Sequence, residues 1–330
     1  MNKTMTSILA SATLGLTLIA GSTLLTTSCS GGGQGSASDG DNLSGSISLS
    51  GAFALYPLAV QWADEFRKLH PNVRIDLSAG GAGKGIADAL ANVVDLGMVS
   101  REIEDEELAK GALPFAVAKD AVVATVNSTS PNLQALLKHG LTQETAVGLW
   151  ITGNVKTWGQ VTGTENADPV NVYTRSDACG AAGTWAKWLG KKQDDLLGTA
   201  VYGDPGVAQA VQKDVNGIGL VNIGFAYDTK THKPAEGIVV APIDVNNNGK
   251  IDPEEDFYDT MDNLSKAIAD GLYPAPPARS LYLVTNGNPS NPIVKAFLAY
   301  VLTDGQKQAA PHGYIPVALD VADQQLKRLE

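Results

Sequence analysis

The sequence predicts an α/β protein built as two lobes. Three observations carry this prediction. Strand-like and helix-like segments alternate along most of the chain, the pattern of sheets with crossover helices. Three glycine-rich turns each precede a helical pattern. The texture changes after Asn127, and a buried strand pattern returns at 281–285. At 330 residues, two domains is the ordinary expectation. The lobes are expected at 44–125 with 283–330, and at 126–282, with crossings near Ala124–Val126 and Leu281–Val284.

The elements follow in order. Residues 45–50 alternate as a short strand, and 57–69 place Leu58, Val60, Trp62, Phe66 and Leu69 on a helical face that ends at His70-Pro71. Residues 73–77 alternate again; 86–94 read as a helix, 96–99 as a buried strand and 102–108 as an acidic helix. Segments 115–117 and 121–126 are apolar and β-branched, as in buried parallel strands. Beyond Asn127, helices are expected at 142–151, 183–189, 207–214 and 291–302. Strands are expected at 170–174, 218–221, 237–243 and 281–285.

The glycine-rich turns point to the chemistry. They are residues 50–57, 80–85 and 175–184, and the last is led by Arg175. A helix start leaves N–H groups unpaired and carries partial positive charge, so it attracts anions. Glycine lets the backbone approach the ligand. A formal net charge of −11 argues against nucleic acid, which needs clustered Lys and Arg. Any anion site must then be built locally, since the overall field repels its ligand.

The N-terminus reads as a targeting segment. Lys3 precedes a mostly apolar run at 7–25, followed by Leu25-Thr26-Thr27-Ser28-Cys29. This resembles a bacterial lipoprotein signal, which implies cleavage after residue 28 and a membrane anchor through lipid on Cys29. Residues 29–43, rich in Gly, Ser and Asp, read as a flexible tether. The only other cysteine is Cys179, so a lipidated Cys29 leaves no internal disulfide.

In their order, these pieces resemble the PstS-like periplasmic phosphate-binding proteins of bacterial ABC transporters. Ser50-Gly51-Ala52 with Tyr56-Pro57 and Trp62 is similar to the family's first phosphate loop, and Gly80–Gly85 followed by residues 94–101 to its second. Asn154–Trp158 is similar to its glycine–lysine–tryptophan turn, and Arg175-Ser176-Asp177 with Gly183-Thr184 to its arginine loop. Gly217–Val221, Gly305-Gln306-Lys307 and Gly313–Pro316 complete the set. The resemblance implies a type II-like periplasmic-binding-protein fold with the ligand in the cleft between lobes. It implies a monomer that delivers inorganic phosphate, or a related oxyanion, to permease subunits. The site it implies comprises Ala54, Leu55, Tyr56, Ala82, Gly83, Ser100, Arg101, Arg175, Asp177, Cys179, Gly183 and Thr184. Arg175 would pair with the anion and Asp177 would orient it. The chain departs from the family at Leu55 and Ala82, where hydroxyls are usual, at Ser100, where an aspartate is usual, and through apparent extra residues Ala178-Cys179-Gly180. Arg101 reads either as a further cation at the site or as a strand-end arginine paired with Glu102 or Glu104.

A second motif lies at 244–255. Asp244, Asn246, Asn248, Lys250 (through its carbonyl), Asp252 and Glu255 occupy the ligand positions of a calcium loop, with Gly249 at the sharp turn. A single structural Ca2+ is expected there, between a strand and a helix starting near Pro253. A polar surface turn is the plain alternative. An enzyme reading rests on Cys179 at a helix start, but none of His70, His139, His232 and His312 falls in a recognisable cysteine-hydrolase motif. An oxyanion sensor or surface adhesin on the same fold is the other alternative.

Overall fold

One strand of sixteen residues belongs to both halves of the molecule. The computed structural model describes residues 43–330. The expected signal 1–28, Cys29 and the tether as far as residue 42 lie outside the described residues. Within them the strands are β1 (Gly45–Gly51), β2 (Val73–Ala79), β3 (Leu96–Val99), β4 (Ala112–Asn127), β5 (Asn171–Arg175), β6 (Thr199–Val201), β7 (Gly217–Asn222), β8 (Ile238–Val240) and β9 (Ala278–Asn286). Their order is β2-β1-β3-β9-β4-β7-β5-β6, with β8 also on β4.

The sheet is mixed rather than parallel. β1 pairs parallel with β2 and β3, and β5 with β6 and β7. β9 runs antiparallel to both β3 and β4, and β4 antiparallel to β7 and β8. The expected strands at 115–117 and 121–126 are one strand, with a register irregularity between Ala116 and Ala118. β4 pairs with β9 up to Ala121 and with β7 from Val122 onward. The chain thus changes sheets at Ala121–Val122, a few residues before the expected crossing. β9 stays on the first sheet from Ala278, so the return precedes residues 281–284. The physical reason is that residues 120–127 are buried without a break, so apolar pattern alone marks no switch.

Two cores lie on the two sheets. Trp62, Phe66, Phe115 and Phe297 anchor the first; Trp150, Trp158, Trp185 and Tyr273 anchor the second. The helix Tyr56–Leu69 begins at a proline and buries Leu58, Ala59, Trp62, Ala63 and Phe66. Trp62 Nε1 donates to the Gly305 carbonyl at 2.8 Å, and a Cβ on Gly305 would stand 3.2 Å from the indole. Tyr314 donates its hydroxyl to the Ala54 carbonyl at 2.7 Å. The C-terminal glycine motifs thereby hold the first glycine turn from behind.

Several helices start earlier than periodicity suggests, because the glycine turns are themselves the first helical turn. The helix expected at 86–94 spans Ala82–Leu90 after Gly81 at φ +91°, and the one expected at 183–189 spans Gly180–Trp188. The acidic helix shortens to Asp105–Ala109 behind a Glu104–Glu107 capping box. The helix expected at 142–151 is α-helical over Gln143–Val147 and then a π-turn over Gly148–Thr152. No helix begins near Pro253: residues 253–255 form a turn, and the next helix is Met261–Ala269.

Candidate anion-binding cleft

The three glycine turns converge. The Gly51 carbonyl accepts from Gly80 N at 2.8 Å and Gly81 N at 3.0 Å. A Cβ on Gly51 would sit 2.7 Å from the Gly85 Cα, so the first two turns can approach only as glycines. The second lobe closes against them. Gly83 N donates to the Ala178 carbonyl at 3.1 Å, and a Cβ on Gly180 would lie 2.1 Å from the Ser100 carbonyl oxygen.

Arg175 ends β5, and its side chain is 1% exposed. Its Nε and Nη2 donate to the two oxygens of Asp177 at 2.8 and 2.6 Å, and its Nη1 donates to Asp204 at 2.6 Å. Of five N–H groups three are committed, leaving one on each terminal nitrogen for an anion. Burial alone would lower the guanidinium pKa, but Asp204, and with it Asp177, holds it above the usual arginine value. The clamp is itself fixed: Gly203 N donates to Asp177 at 3.0 Å and Asn222 N to Asp204 at 2.7 Å. The Phe53 ring centroid lies 5.5 Å from the Arg175 Cζ.

Asp204 was not singled out from sequence. The local signal was an acidic residue in the first turn of a helix, Gly203–Lys213, but nothing in that signal names Arg175 as its partner. A second buried pair was also missed. Arg279 Nε donates to Asp120 at 2.8 Å, its Nη1 to Thr184 Oγ1 at 3.3 Å and its Nη2 to the Asn222 side chain. Burial pushes the Asp120 carboxyl pKa up, against the pull of Arg279. Lys119-Asp120 inside the apolar run 115–126 was the available signal.

Each expected site residue has a definite place. Ser100, Arg175, Asp177, Cys179 and Gly83 come together where the lobes meet. Cys179 caps the helix Gly180–Trp188, its sulfur accepting from Ala182 N at 3.4 Å. The N–H groups of Gly180 and Ala181 are the further donors of that start. Gly183 and Thr184 stand a turn deeper in the helix, which begins at Gly180 after its cap Cys179. Leu55 and Ala82 are fully buried in the first core, so only their backbone can serve a ligand. Leu55 N and Tyr56 N both reach the Ala52 carbonyl at 3.2 Å, long contacts for backbone donors, while the neighbouring Ala54 carbonyl is held by Tyr314. Arg101 forms a fork on Glu107 at 2.7 and 2.8 Å, with the expected Glu104 as a longer partner at 4.0 Å, so it is a strand-end ion pair whose main partner was not foreseen. Burial would raise the Glu107 pKa, but Arg101 prevails and lowers it. Burial pushes the Cys179 thiol up to about 12, which removes the thiolate a nucleophile needs.

A cavity of about 1050 Å³ opens between the lobes beside this constellation, with Arg101, Lys119, Lys187, Lys191, Lys192 and Arg279 among its lining. Lys187 pairs with Glu102 across its mouth. Glu102, Glu104 and Asp194 line the cavity too, so six cations stand against three acids there, in a chain of net charge −11.

The loop 244–255 is ordered by its own carboxylates. Asp244 is buried and accepts from Asn248 N at 3.2 Å and Gly249 N at 2.8 Å. Glu255 accepts from Val245 N at 2.9 Å and Asn246 N at 3.1 Å. Asn246 and Asn248 both donate to Asp252, which also pairs with Lys250. Lys250 above all, with Asn246 and Asn248, lowers the Asp252 pKa to about 2. The residue types offer oxygen donors only, from Asp244, Asn246, Asn248, Asp252, Glu255 and the Lys250 carbonyl, the kind a hard divalent cation takes. Among the described residues, however, no three carboxylates gather closely enough to hold a metal ion, and the Asn246 and Asn248 amides and Lys250 face Asp252 instead.

Comparison with known proteins agrees with this architecture. The profile of the PBP superfamily domain matches residues 35–305. The phosphate-binding protein PstS of Pseudomonas aeruginosa is 30% identical over 310 residues, covering 87% of this chain and 88% of its own. The PstS of Staphylococcus epidermidis is 25% identical over 305 residues, covering 91% and 87%. Among solved structures, a Clostridium perfringens substrate-binding protein with bound phosphate superposes with TM-score 0.67 at 20% identity, covering 83% of this chain and all of that one. An ABC-type phosphate transport receptor from Vibrio cholerae superposes with TM-score 0.59 at 20% identity, over 82% of this chain and all of that one.

Proposed function

Because the chain belongs to the PBP superfamily, in the family of PstS phosphate-binding proteins, we propose that it captures inorganic phosphate, or a closely related oxyanion, outside the cytoplasm and hands it to the permease subunits of an ABC transporter. The observation that carries this reading is Arg175, buried and clamped by Asp177 and Asp204, at the end of β5 and four residues before the helix cap Cys179. That arrangement supplies a fixed fork on a buried guanidinium and main-chain donors at a helix start. The protein acts as a binder rather than an enzyme, as membership of the PstS family supports, and burial of Cys179 disfavours the thiolate that the cysteine alternative would need. The signal-like N-terminus supports a tether to the membrane through lipid on Cys29, and the resemblance to the PstS family is what suggests a monomer.

We further propose that the loop 244–255 takes one Ca2+ as a structural ion, through Asp244, Asn246, Asn248, Lys250, Asp252 and Glu255. Its oxygen-only donors at calcium-loop spacing support this. Calorimetry against phosphate, sulfate, arsenate, molybdate and tungstate, each with and without calcium, tests the anion reading. Saturable phosphate binding is expected; heat from none of the five anions overturns it.

A further inference from the structure

We propose that Phe53 and Tyr202 form an aromatic clasp across the cleft, which seats Arg175 and slows anion release. Phe53 belongs to the first glycine turn, in the lobe of β1, where its neighbours Ala52 and Ala54 are buried. Tyr202 belongs to the other lobe, at the start of the helix Gly203–Lys213. The two ring centroids are 5.9 Å apart with planes at 85°, the edge-to-face geometry that aromatic pairs prefer. The same Phe53 ring lies 5.5 Å from the Arg175 Cζ, within cation–π range.

The second lobe is shaped to receive the ring. Gly203, at φ +71°, leaves the space that a Cβ would fill 3.3 Å from the Phe53 Cζ. Its N–H is held by Asp177, the carboxylate that clamps Arg175. Phe53 therefore rests on the group of residues that positions the arginine, and it does so from the opposite lobe. Core packing does not explain Tyr202, which is 60% exposed. Its ring contact lies across the cleft, so opening the lobes breaks it along with the Phe53–Arg175 contact. A contact present only in the closed state acts on the release rate rather than on encounter.

The inference rests on the phosphate reading. Its test is stopped-flow release of inorganic phosphate from the full-length protein, for the native chain and for Tyr202→Ala, Tyr202→Phe, Phe53→Leu and the double variant Phe53→Leu/Tyr202→Ala. Loss of an aromatic pair predicts release about three- to tenfold faster in Tyr202→Ala, with the association rate within about twofold. Tyr202→Phe keeps the ring and restores native release. The double variant releases no faster than Phe53→Leu, because the two side chains act through one contact. Unchanged release in Tyr202→Ala, equal effects of Tyr202→Ala and Tyr202→Phe, or additive effects in the double variant overturn the clasp. A native chain that binds no phosphate overturns the phosphate reading and the clasp with it. A native chain that binds, with variants that release alike, overturns the clasp alone.

Discussion

Arg175 acts with two buried carboxylates, and its substitution has two separable effects. Truncation to Ala would leave Asp177 and Asp204 buried without their cation, a loss of about 3–5 kcal/mol in stability, and so would confuse folding with binding. Arg175→Lys keeps the charge but not the fork. We expect a folded variant whose phosphate affinity by calorimetry falls about 10- to 100-fold, the worth of charged hydrogen bonds lost from a planar donor set. Native affinity in that variant would mean the guanidinium does not contact the anion. Cys179 gives a pH prediction of definite sign. Its folded pKa, about 12, is raised above the unfolded value near 9. The stability this contributes is therefore full below about pH 9 and is lost as pH rises from 9 toward 12. In Cys29→Ser protein, thiol labelling at pH 8 should be slow in the native state and fast in urea; prompt native labelling would contradict the burial.

At the scale of elements, the start of the helix Gly180–Trp188 is the most constrained. A Cβ at Gly180 would meet Ser100 of the other lobe at 2.1 Å from a backbone oxygen. Gly180→Ala should therefore wedge the cleft rather than unfold a lobe. Overpacking of this kind costs about 1–3 kcal/mol, so phosphate affinity should drop roughly 5- to 100-fold while melting without ligand stays near native. A large fall in melting temperature with intact affinity would place the strain inside a lobe. The loop 244–255 is the second such element. If it holds calcium, added Ca2+ raises the melting temperature by mass action, and Asp244→Ala abolishes the rise while leaving phosphate affinity nearly unchanged. A chelator with no effect on melting, in protein assayed as metal-loaded, would exclude a structural ion.

For the whole molecule, the determining feature is the strand β4, which pairs with β9 along its first part and with β7 along its last. Two lobes joined through shared strands can close as rigid bodies, while Arg279 on β9 spans the joint to Thr184 and Asn222. Small-angle scattering should show the protein more compact with saturating phosphate than without it. The same experiment on Gly180→Ala should show a smaller change. Identical native profiles with and without ligand would argue against closure.

Much of this protein is legible in its sequence because it is local. Alternating and helical periodicities located β1, β2, β3 and the helix Tyr56–Leu69 to within a few residues, since burial of one face writes that period into the chain. The glycine turns were legible because backbone approach leaves no alternative to glycine, and they led to Arg175 and Asp177, two residues apart. What the sequence left open depends on partners that meet only after folding. Asp204 lies 29 residues from Arg175, and Asp120 lies 159 residues from Arg279. No spacing rule links such positions, so even where a local signal exists, as for Asp120 inside its apolar run, it does not name the partner. The change of sheet inside β4 was equally silent, because a strand buried on both faces has the same composition whichever neighbour it pairs with. The chain by itself determined its elements and the anion-seeking backbone turns. Tertiary structure decided which carboxylates hold the arginine, where the lobes divide and which side chains meet across the cleft, because those are properties of distance in space and not along the chain.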